Sequence, residues 1–363
     1  MDSSISLYGQ IPSSLPETLM PSSREILSRG DVRRSASRAA RQSNLSFDRR
    51  LSLLRQYGTF TNSYSAAFQE GLEYFGNDQG FLAYRMVGGT ALVLADPLVS
   101  PENREGLIRD FLQAKSDVCF CQVSPPVASL LASMGFMVNE MGTESWIELA
   151  GYKMRNLRRA LKRMTENGYV IKECTSASVG TEKIASASER WRKTRTYKSR
   201  EVCFLNRPIV LGDEVDVRKF FAFDRDGNLV AFSFFDPVYQ DGQVASYVAA
   251  FKRRLPEIDP LMCSAIMQFA IDTFQREKRK SLYFGLSPLA DIEDKAFRHS
   301  AFLSLNFRHA FQCPLFNRFV YPLLGHATHK RRYGGAAEQT YFAFNTGLAL
   351  PRALKLLRAC NMI

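Results

Sequence analysis

The residues best placed to do chemistry are acids at the ends of apolar runs. Asp96 follows ALVLA and Asp236 follows VAFSFF, and each is succeeded by proline. Proline removes a ladder donor, so each strand is expected to stop there with a carboxylate at its mouth. Such a carboxylate can bind a substrate ammonium or take a proton as general base; the competing reading is an aspartate that caps a turn. Tyr247, central in QVASYVAAF, is either a polar anchor or core packing. No Gly-x-Ser-x-Gly elbow occurs and no cysteine has a credible histidine partner, so direct transfer is expected rather than a covalent enzyme intermediate. The seven cysteines lie mostly in apolar contexts and no Cys/His spacing resembles a zinc site, so reduced buried thiols, no metal and no cofactor are expected.

The second group of candidates is cationic. Over 153–164, Arg155, Arg158, Arg159, Lys162 and Arg163 recur at three- and four-residue spacing, while Met154, Leu157, Leu161 and Met164 form the other side. Cations gathered on one face repel each other unless anions neutralise them, which favours a phosphate-binding face over a solvated one. Trp191 and Arg192, with Lys193, Arg195, Tyr197 and Lys198, interleave aromatic and basic residues, as a surface stacking on RNA would; Trp191 in the core is the alternative. Lys330, Arg331 and Arg332 add another cluster beside His329 and Tyr333. The ending LPRALKLLRACNMI reads as an amphipathic basic helix, with Leu350, Leu354, Leu357 and Met362 facing a headgroup region and Arg352, Lys355 and Arg358 facing phosphates, or else a helix packed on its own domain. The formal charge of +12 favours phosphate-bearing partners, nucleic acid or an anionic membrane surface, without choosing between them.

Elements must position these residues. A length of 363 residues suggests about two domains, and 45% hydrophobic residues can fill sizeable cores. Neither a membrane span nor a secretory signal is read, so a cytoplasmic setting is expected, with any membrane contact peripheral at the inner face. Residues 1–44, rich in Ser, Arg and Pro, read as a disordered basic arm. From residue 46, FDRRLSLLRQYG and SYSAAFQEGLEYF read as helices, and GFLAYRMVGGTALVLADPL as two strands joined at Gly88-Gly89. Helix, strand, helix and strand follow, and the second half repeats the order with a three-stranded meander over 219–251. Both halves are expected to end in an edge strand, at MGFMVNE and at LNFRHAF. The pattern predicts a mixed α/β fold with an internal repeat.

From about 46 to 345 the chain resembles the C-terminal catalytic domain of phosphatidylglycerol lysyltransferases, the multiple peptide resistance factor family. The resemblance rests on FLAYRMVGGTALVLADPLVSPENREGLIRDF, MRNLRRALKRMTENGY, ASERWRKT, GNLVAFSFF, LYFGLSPLAD and HKRRYGGAAEQTYFAF in that order and spacing. It implies tandem GNAT acetyltransferase-like units, divided here as 45–150 and 151–345 with the catalytic cavity in the second and the C-terminal helix over 346–363. It also implies an aminoacyl-tRNA donor and a phosphatidylglycerol-like acceptor. Asp291 resembles a family position near the aminoacyl pocket, with Ser287 a hydrogen-bond donor there; a helix cap is the alternative. Family members usually carry a multi-helix membrane region in front of this domain, where this chain has a polar arm, which leaves other hydroxyl acceptors open.

Ordinary acetyltransferases hold the pyrophosphate of acyl-CoA on the amides of a glycine-rich loop between strand and helix. FKRRLPEIDPLM and ADPLVSPENREG occupy those places, and neither can form that cradle. Aminoacyl-tRNA fits instead, because its ester is already activated and needs only positioning, proton removal and oxyanion stabilisation. The alternatives are an acyltransferase using acyl-carrier protein and a non-enzymatic RNA- or membrane-binding module.

Overall fold

The computed structural model describes residues 45–195, 201–345 and 347–362; the arm at 1–44, together with Tyr197 and Lys198, lies outside the described residues. The hairpin expected at Gly88-Gly89 forms between strands β2 (Gly80–Val87) and β3 (Thr90–Val99), with β1 (Glu73–Asn77) paired on the outer side of β2, and the two glycines have positive φ of 52° and 79°. Such a turn favours glycine because a Cβ would clash in this region. β3 then leads through the helix Arg104–Ala114 to β4 (Val118–Val123), which pairs with it in parallel. Side chains of β4 alternate: Cys119 and Cys121 enter one apolar cluster while Val118 and Phe120 enter another, so the strand is buried on both faces. The helix Pro125–Ser133 and β5 (Met137–Glu148) close the first half.

The second half repeats this plan. The basic helix Arg155–Glu166 precedes β6 (Val170–Glu173), β7 (Arg218–Phe223), β8 (Leu229–Gln240) and β9 (Gln243–Arg254), an antiparallel run. The helix Leu261–Arg276 then leads to β10 (Ser281–Pro288), parallel to β9. Helices Ala301–Gln312, Pro314–Phe319 and Leu323–Arg331 come before β11 (Ala336–Phe344), and the helix Ala349–Ala359 follows it.

The final strands change places. The order across one eleven-stranded sheet is β1-β2-β3-β4-β11-β5-β10-β9-β8-β7-β6. β5, from the first half, pairs with β10, and β11, from the second half, pairs with β4, while β5 and β11 pair with each other in the middle. Each acetyltransferase-like unit is therefore completed by a strand from the other, and a cut at residue 150 divides the sequence but not the sheet.

Three local expectations are corrected. SYSAAFQEGLEYF is helical only over Ser63–Phe68; Gln69 is already extended, Gly71 turns the chain at φ +75° and Glu73 begins β1. LNFRHAF is part of the helix Ala301–Gln312 rather than an edge strand, and the strand closing that half, β11, is central. Neither Asp96-Pro97 nor Asp236-Pro237 ends its strand, because bulges absorb the missing donor: Ala95 has φ +61° and the β2–β3 register shifts there, and β8–β9 shifts beside Phe235.

Candidate active site

The parallel contact between β9 and β10 lasts only for Leu282 with Tyr247 and Tyr283 with Val248. Beyond it Gly285 adopts φ +71° and the β10–β5 register slips between Tyr283 and Leu286, so β10 turns away from β9. This splay leaves the carbonyls of Gly285 and Leu286 without strand partners on that side. Lys330, from the helix Leu323–Arg331, fills the gap: its Nζ donates to Gly285 O at 2.9 Å and Leu286 O at 2.5 Å. Tyr333 stacks on Phe284 at 4.1 Å and its carbonyl accepts the Tyr152 hydroxyl at 2.8 Å, which anchors the end of the helix. Lys252, from β9, lies across the splay with Nζ 3.3 Å from His329 Nε2.

The electrostatics of the splay are unusual. Burial, with the charge of Lys252 adding to it, pushes the Lys330 ammonium down to about 7, while Glu144 opposes the shift. Lys252 is also lowered, by burial. Burial and the neighbouring lysines bring His326 and His329 down to about 4, so both imidazoles are neutral at pH 7. Among the described residues neither lysine reaches a carboxylate within ion-pair distance. The splay therefore gathers amine donors with lowered pKa beside neutral imidazole acceptors, groups able to stabilise an oxyanion and move a proton.

Glu144 sits where the two halves meet, on β5 between Leu286 of β10 and Glu338 of β11. It accepts hydrogen bonds from Thr61 and from Gln122 Nε2, and Asn62 donates to Gln122 Oε1 at 3.1 Å. Burial raises its pKa while these hydrogen bonds and Lys330 oppose that. Gln122, with φ +58°, ends the parallel contact of β4 with β3, the first half's counterpart of the splay. Two residues before Glu144 on β5, a Cβ on Gly142 would collide with the carbonyl oxygen of Ser287, so only glycine lets β5 and β10 approach there.

The expected site residues are scattered. Asp96 clamps Ser124, accepting its N–H at 2.9 Å and its hydroxyl at 2.6 Å, at the start of the helix Pro125–Ser133; burial raises its pKa. Asp236 is buried in mid-strand and held in a two-pronged pair by Arg207, through Nε at 2.8 Å and a terminal nitrogen at 2.7 Å, and Arg207 also pairs with Glu214. Tyr247 is core, stacked on Phe274 at 4.5 Å. Ser287 is buried on β10 just past the splay, whereas Asp291 is exposed and pairs with Arg331 at 2.6 Å. Trp191 lies between the guanidinium groups of Arg195 and Arg253, at 4.4 and 4.9 Å, and Arg192 is 3.7 Å from Glu201. Lys330 turns inward and so parts from exposed Arg331 and Arg332. In the C-terminal helix Arg352 is buried against Asp117 at 2.5 Å and Lys355 donates to Thr90, so these two cations do not face outward.

The basic helix has the expected amphipathy. Leu157, Ala160 and Met164 are buried, and Arg155, Arg158, Arg159 and Lys162 with Lys153 line a depression of about 380 Å³. Lys162 and Arg163 have carboxylates at 3.7 Å, whereas Arg155, Arg158 and Arg159 have no ion pair among the described residues. The would-be pyrophosphate site before the helix Leu261–Arg276 is occupied by the chain's own groups: Asp259 accepts the Leu261 N–H at 2.8 Å and Arg254 donates to the carbonyls of Leu255, Pro256 and Ile258. A carboxylate on the Leu261 amide repels a pyrophosphate there.

Glu144, Lys252, Gln122 and Arg207 escaped sequence reading. Glu144 shares its strand with Glu140 and Glu148, and Lys252 is followed by Arg253 and Arg254, so neither stands out in the sequence as a lone charge in an apolar run. Arg207 lies in an irregular segment without periodicity.

Among the described residues no helix is long and apolar enough to cross a membrane, and no group of three or more His, Cys, Asp or Glu could hold a metal. Residues 51–344 match the family model described as phosphatidylglycerol lysyltransferase, C-terminal. The phosphatidylglycerol lysyltransferase of Bacillus subtilis is 21% identical over 291 residues, 76% of this chain and 32% of that protein. Its counterpart from Staphylococcus xylosus is 25% identical over 205 residues, 53% of this chain and 24% of that protein, so the chain spans a third or less of these relatives. The solved structure of L-PGS from Bacillus licheniformis superposes with a TM-score of 0.70 at 15% identity, covering 89% of this chain and 97% of that one. With a family match over most of its length, the chain belongs to the family of the phosphatidylglycerol lysyltransferase C-terminal domain.

Proposed function

We propose that this chain moves an amino acid from aminoacyl-tRNA onto a hydroxyl of a phosphatidylglycerol-like lipid at a membrane surface. The observation that carries this reading is the β9–β10 splay, where Lys330, Lys252 and His329 converge beside a helix terminus that Asp259 closes to pyrophosphate. In the transfer, the lipid hydroxyl oxygen attacks the aminoacyl ester carbon. The tetrahedral oxyanion collapses, the bond to the ribose oxygen breaks, and that oxygen takes up the proton released by the lipid hydroxyl. No cofactor is consumed.

Lys330 uses two donors on Gly285 and Leu286 carbonyls, and its third points the ammonium at the developing oxyanion. His329, neutral at pH 7, accepts the hydroxyl proton and returns it to the ribose oxygen. Glu144 holds the ammonium of the aminoacyl group, a role the sequence reading gave to Asp96 and Asp236. Asp236 acts through Arg207 as a positioning residue, and Ser287 and Asp291 lie at and beyond the β10 end of the splay. The unpaired face of Arg155, Arg158 and Arg159 binds tRNA phosphates, as its lack of ion pairs supports.

The test is to incubate the chain with a mixed pool of radiolabelled aminoacyl-tRNAs and total lipid extract, with and without ribonuclease. Label in the organic phase that ribonuclease abolishes is expected. Loss of aminoacyl-tRNA without lipid label would point to a water-soluble acceptor, and no effect on either would refute the reading.

A further inference from the structure

The most lopsided stretch of the chain runs from Lys295 to Ala337. It has no Asp or Glu, yet it holds seven Lys or Arg and all four histidines of the protein. It folds as three helices packed on one another, Ala301–Gln312, Pro314–Phe319 and Leu323–Arg331. Among their outward positions are five large apolar side chains, where an ordinary surface helix is polar. Phe302 and Leu305, one turn apart, are 58% and 66% exposed; Leu315 and Phe319, also one turn apart, are 67% and 63% exposed; Leu324 is 50% exposed. Nearby cations accompany them: Arg318 lies over the Phe319 ring at 5.2 Å, and Arg308 holds the carbonyls of Ile292 and Glu293 while keeping its charge. The bordering acids are already neutralised, Asp291 by Arg331 and Glu293 by Lys295.

We infer that this three-helix segment, 301–331, is the face by which the chain docks on an anionic bilayer. The inference rests on the lipid acceptor proposed above. Large apolar side chains accompanied by Arg308 and Arg318, which have no ion pair among the described residues, match the boundary between acyl chains and anionic headgroups, and match neither bulk water nor a zwitterionic surface. The placement is economical, because the same segment carries Lys330 and His329 on its inner side, so a lipid headgroup leaving the bilayer meets the splay directly. The C-terminal helix is a poorer anchor: it exposes Leu350 and Leu354, but Arg352 and Lys355 are turned inward onto Asp117 and Thr90.

The experiment is flotation of the full chain with vesicles of phosphatidylcholine alone or with a third phosphatidylglycerol, for wild type and for L305S/F319S, whose sites are exposed enough for the fold to tolerate serine. Wild type is expected to float only with the anionic vesicles, and the variant to lose roughly tenfold or more in partitioning. The variant should keep wild-type melting behaviour and wild-type transfer to a short-chain, micelle-free phosphatidylglycerol. Equal flotation of both proteins, or flotation independent of phosphatidylglycerol, would overturn the inference. So would a wild-type dimer that the variant dissociates, which would assign the face to a second copy, or a loss of tRNA binding in place of vesicle binding. Wild type that floats as expected but never labels lipid from aminoacyl-tRNA would sink the proposed reaction and leave the docking face standing.

Discussion

Replacing Lys330 with methionine keeps an unbranched stem of similar shape and removes the terminal ammonium with its charge and donors. In an unfolded chain this amine titrates near 10.5, whereas the folded splay holds it at about 7. Enforcing that change costs the folded state on the order of 3–5 kcal/mol at neutral pH, at about 1.36 kcal/mol for each pH unit. The sign follows from proton counting. Between about pH 7 and 10.5 the unfolded chain keeps a proton that the folded chain has shed, so wild-type stability climbs with pH across that window; below pH 7 both states are protonated and the full penalty stands. Lys330→Met lacks this climb. It also strands the carbonyls of Gly285 and Leu286, at about 1–2 kcal/mol each and independent of pH. The variant should thus be near wild type in stability at pH 7 and about 2 kcal/mol worse, relative to wild type, at pH 9. Urea melts followed by far-ultraviolet circular dichroism at pH 7, 8 and 9 measure this. A stability difference constant to within about 0.5 kcal/mol over that range would refute the buried, depressed ammonium. Transfer by the variant should fall about a hundredfold or more even where its stability matches wild type.

Arg207→Met leaves Asp236 buried without its partner and Glu214 with only Lys219 at 3.7 Å, and should cost about 3–5 kcal/mol by urea denaturation; a loss under about 1 kcal/mol would show the network to be dispensable. Gly285→Ala forces a Cβ onto φ +71° at the splay and should cost about 1–2 kcal/mol, with slowed transfer as the Lys330 acceptors shift; a melting point and turnover equal to wild type would contradict the bulge account. R155E/R159E should weaken tRNA binding and make the slope of log affinity against log salt shallower by about 0.7–0.9 for each phosphate left without its cation; an unchanged slope in filter binding would remove this face from the tRNA path.

Local rules carried the reading of sequence where the outcome was local. The Gly88-Gly89 turn, the apolar and basic sides of the helix Arg155–Glu166, and the repeated order of strands and helices followed from periodicity and turn chemistry. The exchange of β5 and β11 was not legible, because pairing partners almost 200 residues apart, such as Thr340 and Gly142, leave no mark on either segment alone. Asp96 and Asp236 misled for a related reason: a proline normally ends a strand, but bulges set by the neighbouring strands let both continue. In the run His329 to Arg332 the residue types were read and their directions were not. Lys330 turns inward because two strand carbonyls at the splay lack partners, and that need arises only once β9 and β10 diverge.

The most direct test of the account is a single-turnover chase of labelled aminoacyl-tRNA against two vesicle preparations that differ in one headgroup, phosphatidylglycerol or phosphatidylpropanol, which has the same charge and no free hydroxyl. Label is expected in phosphatidylglycerol alone, in amounts equal to the aminoacyl-tRNA consumed. Equal labelling of both lipids, or none of either while acyl-carrier protein supports transfer, would contradict direct transfer from tRNA to a lipid hydroxyl.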